Sequence, residues 1–224
     1  MNIANTKACI FDLDGVIVDT VPAHFVARKS IADELGVPFN EEDNEHLKGV
    51  SRIDSMKKIL SMGNLTKTEQ EILELTQRKN DIYVEIISKM TPADILPGVT
   101  DFIQLLKDNG VKIAIGSSSK NTPVILKCVG LQNEFEAIVD GNGVTHSKPD
   151  PEVFLKGAEV LGVAPAECVV FEDAISGVEA AKRGGMKCIG VGDPAILHEA
   201  DLVIADMTHM TLETFNAIAN EELH

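Results

Sequence analysis

Short runs of aliphatic and β-branched residues constrain this 224-residue chain more than any other feature: Ala8 to Phe11, Val111 to Ile115, Cys168 to Phe171, Cys188 to Val191 and Leu202 to Ile204. Each is followed by polar or glycine-containing residues and then by a segment of helical periodicity. The runs are apolar throughout rather than alternating, the pattern of strands covered by helices on both faces. The expected fold class is therefore α/β, a three-layer parallel sheet core with right-handed crossovers. Ligands of such a sheet bind beyond the carboxyl ends of its strands.

The interval between the first run and the second is too long for one crossover and holds amphipathic segments near 22 to 35, 52 to 62 and 67 to 88. It reads as an inserted α-helical cap domain over 20–90, with 1–19 and 91–224 forming the α/β core. The chain would cross the same hinge near Asp19-Thr20 and near Met90-Thr91-Pro92, so the insert is placed to close over the strand ends as a lid. With Lys+Arg 20 against Asp+Glu 35, the net charge of −15 disfavours nucleic acid and anionic lipid as partners. The first residues, Met1 to Lys7, lack a basic stretch followed by a long apolar one, so neither export signal nor membrane span is expected, and the location expected is cytoplasmic. Cys9, Cys128, Cys168 and Cys188 form no CxxC pair, and His24, His46, His146, His198, His209 and His224 show no i,i+4 pairing. Neither disulfide nor zinc is expected.

The first run ends in Phe11-Asp12-Leu13-Asp14-Gly15-Val16, where strand periodicity would point Asp12 and Asp14 to one side while Gly15 permits a sharp turn. The third run ends in Glu172-Asp173, bringing further acids to the same rim. Clustered carboxylates repel unless a cation holds them, and hard oxygen ligands favour Mg²⁺. Asp173 alone is equally compatible with capping a helix that begins near Ala174.

Cations and hydroxyls surround this rim. Gly116-Ser117-Ser118-Ser119-Lys120-Asn121-Thr122-Pro123 follows the second run with donors, a charge and a helix start at Pro123, which suits a phosphate and suits an ordinary capped loop as well. Lys148, in Ser147-Lys148-Pro149-Asp150-Pro151, follows the strand-like run Ala137 to Val139 and is held extended by the next proline. Within the insert, Lys79 interrupts the apolar stripe Ile72, Leu75, Ile82, Ile86, where it either meets an anion or snorkels to solvent. Arg52 lies at a helix start in Gly49-Val50-Ser51-Arg52-Ile53-Asp54, with Ser51 and Asp54 as a capping box.

FDLDGV, the serine-rich loop, the Lys-Pro segment and the Glu-Asp strand end resemble, in that order, the four motifs of the haloacid dehalogenase superfamily of phosphoryl-transfer enzymes. The resemblance covers essentially the whole chain and implies a Rossmann-like core. DLDGVIVDT with His24, HLKGVSRIDS, QRKNDIYV, TPADILPGV, SSSKN, HSKPDPEVF and FEDAISGVEAA are most similar to the branch that isomerises β-glucose 1-phosphate. The resemblance implies that Asp12 is a nucleophile forming an aspartyl-phosphate and Asp14 the general acid and base. It implies that Asp12, Asp14 through its backbone carbonyl, and Asp173 hold Mg²⁺, with Glu172 a ligand or just behind. Ser117 and Lys148 would bind the transferring phosphoryl group. The cap segment Gly49, Val50, Ser51 and Arg52, with Lys79, and the core residues Ser118, Ser119, Lys120 and Asn121, would line the grip on the substrate and its non-reacting phosphate. Thr20 and His24 resemble positions that couple closure to Asp14.

The expected activity is interconversion of β-D-glucose 1-phosphate and glucose 6-phosphate through β-glucose 1,6-bisphosphate, in an enzyme acting as a monomer on a small-molecule sugar phosphate. Two phosphate grips favour isomerisation over the alternative of a sugar-phosphate phosphatase, which needs one grip and a water. A non-catalytic sugar-phosphate sensor is disfavoured by the intact Asp12, Asp14, Lys148 and Asp173. The chain departs from the family pattern at Ser118, where a small apolar residue is expected, and over Asp140 to His146.

Overall fold

The computed structural model describes residues 6–48 and 50–220. The chain forms two compact units, Met1–Asp19 with Thr91–His224, and Thr20–Met90. The first contains strands β1 (Ala8–Phe11), β2 (Lys112–Gly116), β3 (Ala137–Val139), β4 (Cys168–Glu172), β5 (Lys187–Val191) and β6 (Leu202–Ile204). They pair in the order β3-β2-β1-β4-β5-β6, all parallel. The apolar runs are the strands because both faces are covered: every residue of β1 is fully buried. The second run is displaced by one residue from the expected Val111 to Ile115, since Lys112 N–H bonds the Lys7 carbonyl and starts the ladder there.

The unit Thr20–Met90 is helical, with α1 (Val21–Glu34), α2 (Glu41–Glu45), α3 (Arg52–Met62) and α4 (Glu69–Ile87). The short α2, which periodicity does not announce, is set by a capping box between Asn40 and Asp43. Two apolar clusters hold the helices together, one of Ile31, Met56, Leu60, Ile72 and Leu75, the other of Ala32, Val37, Phe39, Leu47 and Ile59. On α4 the buried face runs Ile72, Leu75, Lys79, Tyr83, Ile87, so the expected stripe through Ile82 and Ile86 is corrected. A helix turns slightly less than a 3,4 repeat demands, and after Lys79 the buried line passes to Tyr83 and Ile87. At α3, Ser51 Oγ accepts from the Asp54 N–H at 3.2 Å and donates to Asp54 Oδ2 at 2.7 Å. The expected box is thus one-sided, with Asp54 bonded to the hydroxyl.

The sheet is flanked by α5 (Val99–Asp108), α6 (Thr122–Cys128), α7 (Glu152–Leu161), α8 (Ile175–Arg183) and α9 (Leu212–Asn220). Phe11 stacks on Phe171 at 4.8 Å between ring centres, and Phe102 meets Phe171 and Phe215 edge-on at 5.3 and 5.7 Å. On the other face Ile10, Ala114 and Val170 pack with Phe154, Ala158 and Val178. The cysteines are free; Cys9, Cys168 and Cys188 are buried in strands, and burial pushes their thiols up, Cys168 to about 11. No helix among the described residues is long and apolar enough to cross a membrane. Gly49, the first residues Met1 to Asn5 and the last four, with His224, lie outside the described residues.

Candidate active site

Parallel register creates the site. Phe11 of β1 is level with Ile115 of β2 and Phe171 of β4, so the next residues, Asp12, Gly116 with Ser117, and Glu172 with Asp173, emerge at one edge of the sheet. This is where the strand order reverses direction in sequence and where α/β sheets bind ligands. Asp12 N–H still bonds the Phe171 carbonyl at 2.9 Å, fixing its Cα against β4. The chain then turns: Gly15, at φ 80°, bonds the Val18 carbonyl at 2.7 Å, and Val18 bridges both Asp14 and Ile95. Strand periodicity therefore stops at Asp12, and Asp14 is placed by this turn instead of by alternation along β1. Gly15 also leaves space for Asp173, because a Cβ there would collide with that carboxyl group and approach its Cβ to 3.0 Å.

Lys148 is buried between two acids, its Nζ donating to Asp12 Oδ1 at 2.7 Å and to Glu172 Oε1 at 2.6 Å. Burial alone would lower the ammonium's pKa, but the Asp12 and Glu172 charges outweigh it and hold Lys148 above an ordinary lysine. Burial lifts the Glu172 carboxyl, against the pull of Lys148 and with the push of Asp12. Its second oxygen accepts the Ala174 N–H at 2.8 Å. Gly177, in the first turn of α8, makes room for this carboxylate; a Cβ at that position would overlap it and stand 2.5 Å from Glu172 Cγ. The helix starts at Ile175 with Ala174 as its capping residue, and the Asp173 carboxylate faces the cluster.

Carboxylate oxygens of Asp12, Glu172 and Asp173 lie within 4.8 Å of one another, an all-oxygen donor set that fits a hard divalent cation. Asp14 contributes no carboxylate to this cluster among the described residues. Ser117 is buried, and its hydroxyl accepts the Ser119 N–H at 3.1 Å. Ser119 Oγ accepts the Asn121 N–H at 3.3 Å, and α6 opens at Thr122 with Pro123 in its first turn, as the sequence signals. Ser118 Oγ is buried without a hydrogen-bond partner.

The helical unit holds a second set of cations. Lys79 Nζ lies 2.8 Å from His24 Nδ1 and 4.5 Å above the Tyr83 ring, which stacks on His24 at 4.2 Å. Burial, then Lys79, Arg28 and Arg52, hold His24 well below the usual histidine range, so its imidazole is neutral and accepts from the ammonium. Arg52, half-buried at the first position of α3 after Val50 and Ser51, is lowered by burial and supported by Tyr83. Thr20 is buried, and its carbonyl accepts the His24 N–H at 2.9 Å. Periodicity alone does not single out Tyr83, Arg28 or Gly177; the only tyrosine of the chain, four residues after Lys79, is the one signal the sequence carries.

Residues 6–185 match the family described as haloacid dehalogenase-like hydrolase. The chain is 46% identical over 209 residues to a β-phosphoglucomutase of Bacillus subtilis, covering 92% of each. It is 31% identical to a phosphorylated carbohydrates phosphatase of Thermotoga maritima over 82% of this chain and 83% of that one. Among solved structures, a β-phosphoglucomutase from Clostridium difficile superposes with a TM-score of 0.91 at 36% identity, covering 96% of this chain and 97% of the other.

Proposed function

We propose, from the premise that this chain belongs to the haloacid dehalogenase-like hydrolase family, that it is a phosphotransferase interconverting β-D-glucose 1-phosphate and glucose 6-phosphate. The observation that carries the reading is the presence of two separate cationic sets, Lys148 beside Asp12 in the α/β unit and Arg52 with Lys79 in the helical unit. An isomerase that passes through glucose 1,6-bisphosphate must hold two phosphates, whereas a phosphatase holds one.

In this reading Asp12 attacks the phosphorus of the bisphosphate and takes the phosphoryl group as an aspartyl-phosphate, while the sugar oxygen leaves with a proton from Asp14. Glucose 6-phosphate departs, a β-glucose 1-phosphate gives its O6 proton to Asp14 and takes the phosphoryl group from Asp12, and the resulting 1,6-bisphosphate turns around to present its other phosphate to Asp12. Lys148 and Ser117 hold the transferring group, and Lys148 offsets the repulsion between carboxylate and phosphate. Arg52 and Lys79, with Ser119, Lys120 and Asn121, hold the phosphate that does not react; Gly49, Val50, Ser51 and Ser118 belong to the same segments. Asp12, Asp173 and the Asp14 carbonyl would hold Mg²⁺, with Glu172 behind them bound to Lys148. The ion, when bound, supplies positive charge to a phosphoryl oxygen.

Thr20 and His24 tie the helical unit's state to Asp14, and that unit acts as a cap that keeps water from the aspartyl-phosphate. The enzyme acts as a cytoplasmic monomer on a sugar phosphate, with neither nucleic acid nor membrane as partner; the charge of −15 supports this.

The test incubates the protein with Mg²⁺, β-glucose 1-phosphate and a trace of glucose 1,6-bisphosphate while following glucose 6-phosphate and inorganic phosphate together. Glucose 6-phosphate without matching phosphate release is expected, and Arg52→Ala should cripple it. Stoichiometric phosphate without isomerisation would instead support a phosphatase like the Thermotoga relative.

A further inference from the structure

The two departures from the family pattern, Ser118 and the segment after β3, meet in the structure. Three successive carbonyls of the serine-rich loop face residues 140–142. Gly141 lies so close to the Ser118 carbonyl that a Cβ would collide with it and stand 3.1 Å from the Lys120 nitrogen. The Gly141 N–H bonds the Ser119 carbonyl at 3.3 Å. Asn142 Nδ2 donates to the Lys120 carbonyl at 3.1 Å and to Asp140 Oδ2 at 3.1 Å. Both partners of that amide nitrogen are acceptors, so the orientation of the amide is determined. Asp140 Oδ1 also accepts the Asn142 N–H at 2.8 Å, fixing the main chain beneath the side chain.

We propose that Gly141 and Asn142 are positioning residues that strap residues 118–120 in place and so aim Lys120 and Asn121 at the non-reacting phosphate; the inference rests on the functional reading above. Lys120 is exposed and carries a flexible stem, so a fixed main chain removes part of the ordering it must undergo on binding. The loop's own caps, Ser117 to Ser119 and Ser119 to Asn121, are internal to it and do not tie it to a neighbour. Gly141 supplies close approach and Asn142 supplies the two donors. An aspartate at 142 would keep the shape and present oxygen to both acceptors.

The experiment compares full-length wild type, Asn142→Ala, Asn142→Asp, Gly141→Ala and Lys120→Ala. It measures KM and kcat for β-glucose 1-phosphate at saturating bisphosphate, the rate of Asp12 phosphorylation by acetyl phosphate, and melting temperature. Asn142→Ala is expected to raise KM by about 2- to 10-fold, the range one lost hydrogen bond supplies, with kcat changed less. Asn142→Asp and Gly141→Ala should raise it at least as much. Acetyl phosphate has a single phosphate, so phosphorylation by it should stay within about two-fold of wild type if only the distal grip is loosened. An unchanged KM in both Asn142→Ala and Gly141→Ala, or equal losses in both reactions, overturns the strap. If Lys120→Ala also leaves KM unchanged, the assignment of Lys120 to the distal phosphate falls and the inference falls with it. If Lys120→Ala raises KM while the variants at 141 and 142 do not, the strap alone is refuted.

Discussion

Replacing Gly177 by alanine is the sharpest test of how the site is held. In an ordinary helix this change stabilises by up to about 1 kcal/mol. Here the new methyl would overlap the Glu172 carboxylate and stand 2.5 Å from its Cγ, where carbon atoms need about 3.5 Å or more. Glu172 is 1% exposed and its Cα is fixed in β4, so the side chain has to give up its present rotamer. Doing so breaks the 2.6 Å bond from Lys148 and the 2.8 Å bond from the Ala174 N–H. Losing one partner of a buried ion pair costs about 3 to 5 kcal/mol, and the orphaned N–H roughly 1 to 3 more, so with the helix gain of about 1 subtracted the net expectation is about 3 to 7 kcal/mol of destabilisation.

Urea unfolding followed by circular dichroism measures this, alongside Gly157→Ala as a control. There a Cβ would meet the flexible Ile10 side chain, nearest at its Cδ1 at 3.3 Å, and a change within about 1 kcal/mol is expected. The decisive arm is a double-mutant cycle: once Glu172→Ala has removed the obstructing side chain, Gly177→Ala should cost nothing further, a coupling of 2 kcal/mol or more by order of magnitude. A Gly177→Ala cost that is the same in both backgrounds, or below about 1 kcal/mol in wild type, would refute the reasoning.

Other consequences can be checked independently. Arg28 donates to Asn44 Oδ1 at 2.8 Å and to the Leu47 carbonyl at 3.2 Å, so Arg28→Met should cost about 2 to 4 kcal/mol by leaving these buried acceptors unmet, as a denaturant midpoint will show. His24 is held below its ordinary value by burial, Lys79, Arg28 and Arg52, so below about pH 6.5 the unfolded chain takes up a proton that the folded one refuses. Stability should therefore fall as pH drops through that value, and His24→Gln should flatten the slope; an unaltered slope would count against it. Mg²⁺ should raise the melting temperature of wild type through binding to the folded state alone and raise it much less in Asp173→Asn, with EDTA reversing the gain.

What the sequence disclosed, and what it withheld, follows from the range of the interactions. The strands were legible because burial on both faces leaves continuous apolar runs such as Cys168 to Phe171. The acids at their ends were legible because a parallel sheet brings strand termini to one edge. Lys148 could be suspected from its place after β3, but its location between Asp12 and Glu172 depends on a contact 136 residues apart in the chain. Gly177 looks like any helix glycine until the Glu172 side chain is in view. Tyr83 was hidden by a one-residue drift of the helix stripe, and Asn142 by the fact that a loop asparagine ordinarily turns the chain and nothing more. Arg28 is hidden because the Asn44 Oδ1 and Leu47 carbonyl that accept from its guanidinium lie 16 and 19 residues further along the chain and have no motif to mark them.

The central place of β1 has a bearing on how the molecule comes into being. It pairs on one side with β2 and on the other with β4, so the first strand to be synthesised waits for Cys168–Glu172 before its second edge is satisfied. Non-local pairing of this kind is slow, and domains form as units in the order they emerge. The helical insert, contained in one continuous stretch from Thr20 to Met90, has its partners at hand long before then. On the ribosome the insert is therefore the first part to mature, while Asp12 stays beside an open strand edge. The acidic cluster, and with it any capacity for phosphoryl transfer, arises only after the chain has been made past Asp173.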